Sequence, residues 1–185
     1  MRLFIALDPS EQVRARFAAL LRQLKAEAPA VKWVAAESLH LTLKFIGEQP
    51  EEKLPGLAEA LAAVAPPGHL GLCFRGLGCF PNERRPRVFW VGMEELPELA
   101  RLAAAIERAL EPFGIAPEGR PFSPHLTLGR LREGARLALL PQAWEANRAE
   151  EFGRVLATEF HLYRSRLSPA GAEYTKLRSF PLQAG

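Results

Sequence analysis

One tetrapeptide occurs twice in this chain, and its repetition constrains the fold more than any other feature. His-Leu-Thr-Leu stands at residues 40–43 and again at 125–128, a separation of 85 residues. The sequence holds only four histidines and four threonines, and half of each lie in these two tetrapeptides. Composition alone rarely produces such a second copy. The repetition therefore indicates an internal duplication, with two related halves of roughly 90 residues each.

The pattern of apolar residues agrees with a duplication, because both halves show the same order of elements. Each half contains a long helix, a strand with the motif, a shorter helix and further strands. Ser10 is a typical residue to begin the first helix. The predicted helices span 11–28, 50–65, 96–113 and 137–149. The predicted strands span 3–7, 31–34, 39–46, 69–76, 87–92, 121–131, 154–166 and 173–178.

Length and composition exclude several classes of protein. The chain of 185 residues fits a single domain over 1–185, and its 48% hydrophobic content argues against disorder. No apolar run approaches the roughly 20 residues that cross a bilayer, so we expect a cytoplasmic protein without a membrane partner. The net charge of +3 permits an anionic partner but does not require one. Cys73 and Cys79 are expected to be buried free thiols, since their spacing is not that of a zinc site.

The residue order inside each motif predicts a polar surface. Successive side chains of a strand point to opposite faces, so His40 and Thr42 share one face, as do His125 and Thr127. The leucines then lie on the reverse side and can pack against helices. A face that carries imidazoles and hydroxyls needs water, a polar partner or a ligand. Two such strands facing each other would form a cleft with these four side chains inside.

Two histidines and two threonines suit phosphodiester hydrolysis. In an in-line displacement one proton leaves the attacking water and another reaches the leaving oxygen on the opposite side of phosphorus. Histidine titrates near pH 6.5, so one imidazole can be neutral while the other is protonated. Threonine hydroxyls can donate to the non-bridging oxygens. The alternative is that both histidines are ordinary core or surface residues of a duplicated strand, and the identical second copy favours the catalytic interpretation.

The motifs and their surroundings resemble the 2H phosphoesterase superfamily. The most similar branch is formed by the bacterial and archaeal RNA 2′,3′-cyclic phosphodiesterases, once called 2′-5′ RNA ligases. The resemblance extends along nearly the whole chain. It is carried by residues 2–7, 39–47, 76–81, 87–92, 124–130 and 163–168, together with Gly171 and Tyr174.

The resemblance implies an α+β fold of two related lobes. Each lobe would contribute one motif strand and hold an antiparallel sheet flanked by helices, with the active-site cleft between the lobes. The implied reaction is hydrolysis of an RNA 2′,3′-cyclic phosphate to a 2′-phosphomonoester. His40 would be the general acid, His125 the general base, and Thr42 and Thr127 would hold phosphate oxygens. The same site run backwards would join RNA ends through a 2′-5′ linkage. No cofactor is implied, and the sequence shows no metal-binding cluster.

Two further cations near the motifs are candidates for phosphate contacts. The resemblance suggests Arg130, although strict alternation would place it on the leucine face, away from His125. A bulge at Gly129 or the end of the strand could redirect it toward the histidine face. Lys44 lies on the histidine face by alternation and is the weaker candidate.

The remaining basic residues divide into two groups. Arg84, Arg85 and Arg87 stand beside aromatic residues, a combination that can hold single-stranded RNA, although a solvated turn is the simpler interpretation. His69 and His161 lack a threonine two residues later, so we expect neither to be catalytic.

Two other functions stay open from the sequence. The chain could be an RNA-end-binding module without turnover, or a phosphodiesterase for another cyclic phosphate or a 2′-5′ oligonucleotide. The expected partner is RNA with 2′,3′-cyclic phosphate ends, such as tRNA fragments, bound by a monomer.

Overall fold

The computed structural model describes residues 1–65, 67–168 and 171–182. Its strands are β1 Arg2–Leu7, β2 Val31–Trp33, β3 Leu41–Glu48, β4 Leu70–Phe80, β5 Val88–Met93, β6 Leu126–Leu131, β7 Glu151–Ala157, β8 Glu159–Ser168 and β9 Gly171–Pro181. Its helices are α1 Glu11–Glu27, α2 Leu54–Ala62, α3 Pro97–Leu110 and α4 Gln142–Ala146, with 3₁₀ turns at Ala36–Ser38, Glu51–Lys53 and Glu111–Phe113. The α+β fold class is confirmed.

All the described strands belong to one antiparallel sheet in the order β7-β4-β5-β6-β3-β1-β8-β9, with β2 also paired to β6. The two motif strands, β3 and β6, lie at its centre and are joined through a single pair, Leu41 with Leu126. Apart from β2, the sheet therefore consists of two four-stranded halves. We call β3-β1-β8-β9 the His40 half-sheet and β6-β5-β4-β7 the His125 half-sheet.

Neither half-sheet is built from one contiguous half of the chain. β4 follows α2 but pairs with β5 and β7 in the His125 half-sheet. In the same way, β8 follows β7 but pairs with β1 in the His40 half-sheet. Each half of the sequence thus donates two late strands to the other half-sheet, β4 and β5 in one direction and β8 and β9 in the other. This exchange ties the two halves together through main-chain hydrogen bonds on both sides of the centre.

The helices cover one face of the sheet and leave the other face free for the cleft. In β1, Leu3, Ile5 and Leu7 are buried in the main core, whereas Phe4 and Ala6 form a small separate cluster on the opposite face. Burying one such large apolar side chain contributes roughly 1.5–3 kcal/mol to stability. The core residues of the two long helices recur at helical spacing: Val13, Phe17, Leu20, Leu21 and Leu24 in α1, and Leu99, Leu102, Ile106 and Leu110 in α3.

A local sequence signal explains where α1 begins. Ser10 caps α1 as predicted, its hydroxyl accepting a hydrogen bond from the backbone N–H of Val13 at 3.3 Å.

Cys73 and Cys79 are buried free thiols, also as predicted. No described helix is long and apolar enough to span a membrane.

Three predicted boundaries were wrong, each for a physical reason. The strand predicted at 121–131 begins only at Leu126, because Pro121 and Pro124 cannot donate ladder hydrogen bonds. The helix predicted at 137–149 spans only Gln142–Ala146, after Pro141. The strand predicted at 154–166 is two strands divided at Thr158, because the chain leaves one half-sheet there and enters the other.

Candidate active site

Each motif contains a β-bulge at its second leucine. In the pairing of β1 with β3, Ala6 faces Thr42 and Ile5 faces Lys44, so Leu43 has no partner. In the pairing of β5 with β6, Trp90 faces Thr127 and Phe89 faces Gly129, so Leu128 has none. A bulge adds one residue to a strand and reverses the alternation of side chains beyond it. The two motifs therefore share this irregularity as well as their sequence.

The bulges bring a second pair of residues to the cleft face. Phe45 and Arg130 are each five residues after a motif histidine, and both line the cleft together with Thr42 and Thr127. Strict alternation would have placed Arg130 on the opposite face. The bulge at the end of the motif redirects it, as the sequence allowed. Strict alternation also predicts Phe45 on the leucine face, and that prediction was wrong, since Phe45 is 56% exposed on the cleft face.

The bulge at Leu43 removes Lys44 from the cleft, so the prediction that Lys44 shares the histidine face was wrong. Lys44 is buried, and its ammonium group donates to Glu107 Oε1 at 2.7 Å and to the carbonyl oxygen of Ala116 at 2.8 Å. Glu118 lies 3.5 Å away. Lys44 therefore fastens β3 to the end of α3 and to the segment that follows, and it takes no part in the cleft.

The pairing of Leu41 with Leu126 determines which residues of the two motifs lie next to each other. The strands are antiparallel, so the residue before Leu41 lies beside the residue after Leu126, and the converse also holds. His40 is thereby brought to the side of Thr127, and His125 to the side of Thr42. Both histidines stand immediately before their strands rather than inside them as predicted. The pairing therefore sets the backbone of each motif histidine across from the threonine of the other motif.

Both imidazoles are oriented by the same main-chain contact. The Nδ1 atom of His40 lies 2.8 Å from the carbonyl oxygen of Ser38, and that of His125 lies 2.8 Å from the carbonyl oxygen of Ser123. A carbonyl oxygen only accepts, so the proton must be on Nδ1 of each ring. Each Nε2 is then left to exchange a proton with a ligand.

The ring of His40 is held between aromatic side chains. Phe4 lies against it with ring centroids 4.6 Å apart, and Tyr174 meets it edge-on at 4.9 Å. Tyr163 stacks on Phe4 with ring centroids 5.2 Å apart, and its ring lies 6.5 Å from that of His40. Burial lowers the pKa of His40, although the hydrogen bond to the Ser38 carbonyl acts in the opposite direction. In the free protein His40 is therefore shifted toward its neutral form.

The surroundings of His125 are more open. Phe80 meets its ring edge-on with centroids 5.1 Å apart, and Trp90 lies 6.3 Å away. The indole of Trp90 rests on Gly78, where any side chain would overlap it. His125 does not line the main cleft, unlike His40, although the adjoining pair of Leu41 with Leu126 brings the two motifs together. The two identical motifs therefore place their histidines in unequal environments.

The main cleft has a volume of about 610 Å³, enough for a nucleotide-sized ligand. Four cations line it, and none of the described residues that line it is acidic. An anionic ligand is therefore favoured electrostatically. The polar, charged and aromatic side chains of its wall are Arg2, Phe4, Lys25, Lys32, Trp33, Ser38, His40, Thr42, Phe45, Thr127, Arg130, Ser165 and Tyr174.

Several other basic residues considered from the sequence lie outside the cleft. Arg84, Arg85 and Arg87 are exposed in the turn between β4 and β5, where Asn82 Oδ1 accepts from the backbone N–H groups of Arg84 and Arg85. His161 is buried beside Ser179, its Nδ1 atom 2.9 Å from the serine hydroxyl. His69 also does not line the cleft.

One group of potential metal ligands occurs among the described residues, and it lies away from the motifs. Cys73, Glu94 and Glu151 come together beside β4 and β7. Arg154 and Arg75 already pair with both carboxylates, at distances from 3.1 to 3.9 Å. Burial raises the pKa of the Cys73 thiol, which keeps it protonated and a poor ligand. This group is therefore better explained as an ion-pair network than as a metal centre.

The two serines that orient the histidines were missed from the sequence. Both motifs are preceded by a serine two residues before the histidine, so the repeat extends to Ser-x-His-Leu-Thr-Leu. This signal was available before the structure. The aromatic partners were harder to find, because Phe4 and Tyr174 come from β1 and β9 and reach His40 only through the fold.

Comparisons with known proteins show which family the chain resembles in sequence and fold. The sequence profile of the family described as LigT like Phosphoesterase matches the chain twice, over residues 7–90 and 91–174. A curated RNA 2′,3′-cyclic phosphodiesterase of Archaeoglobus fulgidus is 37% identical over 181 residues, covering 97% of this chain and 99% of the relative.

Solved structures with the same fold extend the comparison. A protein of Thermus thermophilus superimposes with a TM-score of 0.82 at 34% identity, over 98% of both chains. The Escherichia coli protein LigT in complex with 3′-AMP gives a TM-score of 0.74 at 28% identity, over 99% of this chain and 98% of LigT. Because the family profile covers both halves and the similarity runs along whole chains, this protein belongs to the LigT-like phosphoesterases, the 2H family that its motifs resemble.

Proposed function

We propose that this chain hydrolyses RNA 2′,3′-cyclic phosphate ends to 2′-phosphomonoesters. The observation that carries the proposal is the matched orientation of two histidines. His40 and His125 both have Nδ1 bound to a main-chain carbonyl, so both leave Nε2 for proton transfer. The two motifs would then bring two proton-transfer groups to one phosphate, which an in-line displacement at phosphorus requires.

The proposed reaction uses one histidine on each side of phosphorus. A water molecule attacks phosphorus and gives a proton to Nε2 of the neutral His125. The bond between phosphorus and the ribose 3′ oxygen breaks, and that oxygen takes a proton from Nε2 of the protonated His40. Thr42 and Thr127 donate hydrogen bonds to the non-bridging oxygens, where negative charge is concentrated. The assignment of acid to His40 and base to His125 rests on the family resemblance.

The environment of His40 places a condition on this assignment. Burial lowers the pKa of His40, so an empty site favours the neutral ring, whereas a general acid must carry a proton. A bound phosphodiester supplies a negative charge beside the ring, and an adjacent opposite charge raises the pKa of an imidazole. Substrate binding would therefore favour the protonated form of His40, which can then donate its proton to the leaving oxygen.

The substrate class follows from the cleft and from the relatives. Four cations without a lining carboxylate favour an anion, and aromatic side chains such as Phe45 and Trp33 offer surfaces for a base. The A. fulgidus relative is named for RNA 2′,3′-cyclic phosphate hydrolysis, and E. coli LigT was crystallised with 3′-AMP. We extend this substrate class to the present chain, with tRNA fragments among the candidate RNAs.

We also propose that the protein acts as a monomer and that its site can run the reaction in reverse. Both motif strands come from one chain, so a monomer over residues 1–185 would hold a complete site as a single domain. The proton transfers need no metal ion or cofactor. Run backwards, the same groups would join a 5′-hydroxyl to the cyclic phosphate and form a 2′-5′ linkage, although water competes with the second RNA end.

Product analysis tests the proposal directly. A short RNA with a 2′,3′-cyclic phosphate end would be incubated with the protein in the presence of excess EDTA, and the product identified by its regiochemistry. We expect only the 2′-phosphomonoester, formed at the rate seen without chelator. Binding without turnover would contradict the proposal, and so would formation of the 3′-phosphomonoester.

A further inference from the structure

Arg14 of α1 reaches across to the turn that precedes His40. Its Nη1 atom donates hydrogen bonds to the carbonyl oxygens of Ala36, Glu37 and Leu39, at 3.0, 3.0 and 2.9 Å. These carbonyls belong to the 3₁₀ turn Ala36–Ser38 and the residue after it. A single guanidinium nitrogen thus donates to three of the four carbonyl oxygens of residues 36–39.

The fourth carbonyl of this turn is the one that orients His40. The Ser38 oxygen accepts no bond from Arg14 and instead lies 2.8 Å from Nδ1 of His40. The turn therefore divides its carbonyls between a cation on one side and the imidazole on the other. Because peptide planes are rigid, fixing the carbonyls of residues 37 and 39 restrains the direction of the Ser38 carbonyl between them.

A second set of contacts holds Arg14 itself. Its Nη2 atom lies 3.8 Å from Asp8, which accepts hydrogen bonds from the Tyr163 hydroxyl at 2.7 and 2.8 Å and pairs with Lys176 at 3.0 Å. Tyr163 stacks on Phe4, and Phe4 lies against the His40 ring. Asp8 thus connects the group that holds the turn with the aromatic stack that holds the ring.

The turn before His125 has no counterpart of this contact. The Ser123 carbonyl accepts from His125, but no other side chain in the described part of the chain donates to the carbonyls of residues 121–124. Arg14 is therefore specific to one of two motifs with identical sequences. This asymmetry matches the deeper burial of His40 and the more open surroundings of His125.

We infer that Arg14 is a positioning residue for His40: it fixes the turn whose Ser38 carbonyl holds the Nδ1 proton, and so keeps Nε2 directed at the substrate. The inference rests on the proposed function insofar as it concerns turnover. Its structural part, the control of the His40 tautomer, stands independently of that function.

Two measurements on Arg14→Ala test the inference. For hydrolysis of a 2′,3′-cyclic phosphate oligonucleotide, kcat should fall by about 10- to 100-fold while KM changes by less than about threefold, because a displaced catalytic group costs rate rather than binding. At a pH where the ring is neutral, the ¹⁵N chemical shifts of His40 should move from a protonated Nδ1 toward a mixture of both tautomers, and those of His125 should stay constant.

Matched variants complete the test. Arg16→Ala removes another α1 arginine, one that pairs with Glu150 at the surface, and should leave both measurements unchanged. Arg14→Lys keeps the cation on a shorter side chain and should give intermediate values, and it carries the test if Arg14→Ala does not fold. An unchanged kcat or an unchanged His40 tautomer would overturn the inference. If the wild-type protein shows no hydrolysis, the proposed function fails, and the tautomer alone decides on Arg14.

Discussion

Leu41 pairs with Leu126, and this single contact joins the two half-sheets at the centre of the fold. The side chains of both leucines are fully buried, so the neighbouring His40 and Thr127 lie on the opposite, open face. The antiparallel direction of the strands then sets each histidine beside the threonine of the other motif. The two copies of the tetrapeptide therefore meet in one candidate site, because the described parts of their strands pair only here.

The two threonines should contribute to turnover. Thr42→Val and Thr127→Val keep the shape of the side chain and remove its hydroxyl donor, so we expect kcat to fall about 10- to 100-fold in each variant, since each loses a hydrogen bond to the charged phosphate. Steady-state kinetics on a cyclic-phosphate oligonucleotide measure the change. Thr175→Val, at an exposed position of β9, is the matched control. Wild-type kcat in both motif variants would refute this role.

Arg130 should contribute chiefly to binding. The bulge at Leu128 brings its guanidinium to the cleft, where a charge-assisted hydrogen bond to the substrate is worth about 1.5–3 kcal/mol. Arg130→Gln should therefore raise KM by about 10-fold or more, with a smaller effect on kcat. Arg132→Gln, an exposed position just beyond β6, should leave KM unchanged. Equal effects of the two substitutions would show that general surface charge matters rather than this contact.

The protonation of His40 should respond to an anion in the cleft. Because burial lowers its pKa, NMR titration of the free protein should give a midpoint below about 6.5, and inorganic phosphate should raise it. Burial also lowers the pKa of His161, which lies outside the cleft and so serves as an internal control that phosphate should not shift. If phosphate leaves the titration midpoint of His40 unchanged, the His40 ring does not contact the bound anion and this prediction fails.

The lowered pKa of His40 also makes the stability of the protein depend on pH. A histidine whose pKa is lower in the folded state than in the unfolded state binds its proton more tightly when unfolded. The contribution of His40 to stability is therefore present above about pH 6.5 and is lost as the pH falls through the pKa of the folded protein. Denaturant titrations at several pH values should show this loss for the wild-type protein and a smaller one for His40→Gln.

Gly129 should be required for the position of β2. A Cβ atom at this residue would stand 2.7 Å from Trp33 Cε3 and 2.8 Å from Val31 Cγ1, both on the neighbouring strand. Gly129→Ala should therefore lower the free energy of unfolding by about 1–3 kcal/mol, the usual cost of overpacking. Gly119→Ala, where nothing lies within 4 Å of the added atom, should have little effect. Thermal unfolding of the two variants provides the comparison.

Much of the site could be predicted from the sequence because a repeat is visible without a structure. The motifs, their polar faces and the four central side chains all followed from residue order. The two bulges did not, because Leu43 and Leu128 satisfy the alternation of an ordinary strand, and only the pairing with β1 and β5 shows the extra residue. Lys44 was misplaced for that reason.

The contacts that distinguish the two motifs were also beyond sequence reasoning. Arg14 lies on a helix 25 residues before Leu39, the most distant of the turn residues whose carbonyls it binds. The exchange of β4 and β8 between the half-sheets depends on long-range pairing, for which no local signal exists. Short-range patterns therefore identified the catalytic candidates, and the fold determined how unequal their surroundings are.

The central claim is that His40 and His125 act as one unit on one phosphate. Single-turnover hydrolysis of a 2′,3′-cyclic phosphate RNA by the wild-type protein, His40→Ala, His125→Ala and the double variant tests it most directly, with His69→Ala as the control. Removing a general acid or base costs about 10²–10⁴-fold, and groups that act together are strongly non-additive. We expect each single variant to lose at least about 100-fold and the double variant to be scarcely slower. Near-wild-type turnover by either single variant, or fully additive losses, would contradict the account.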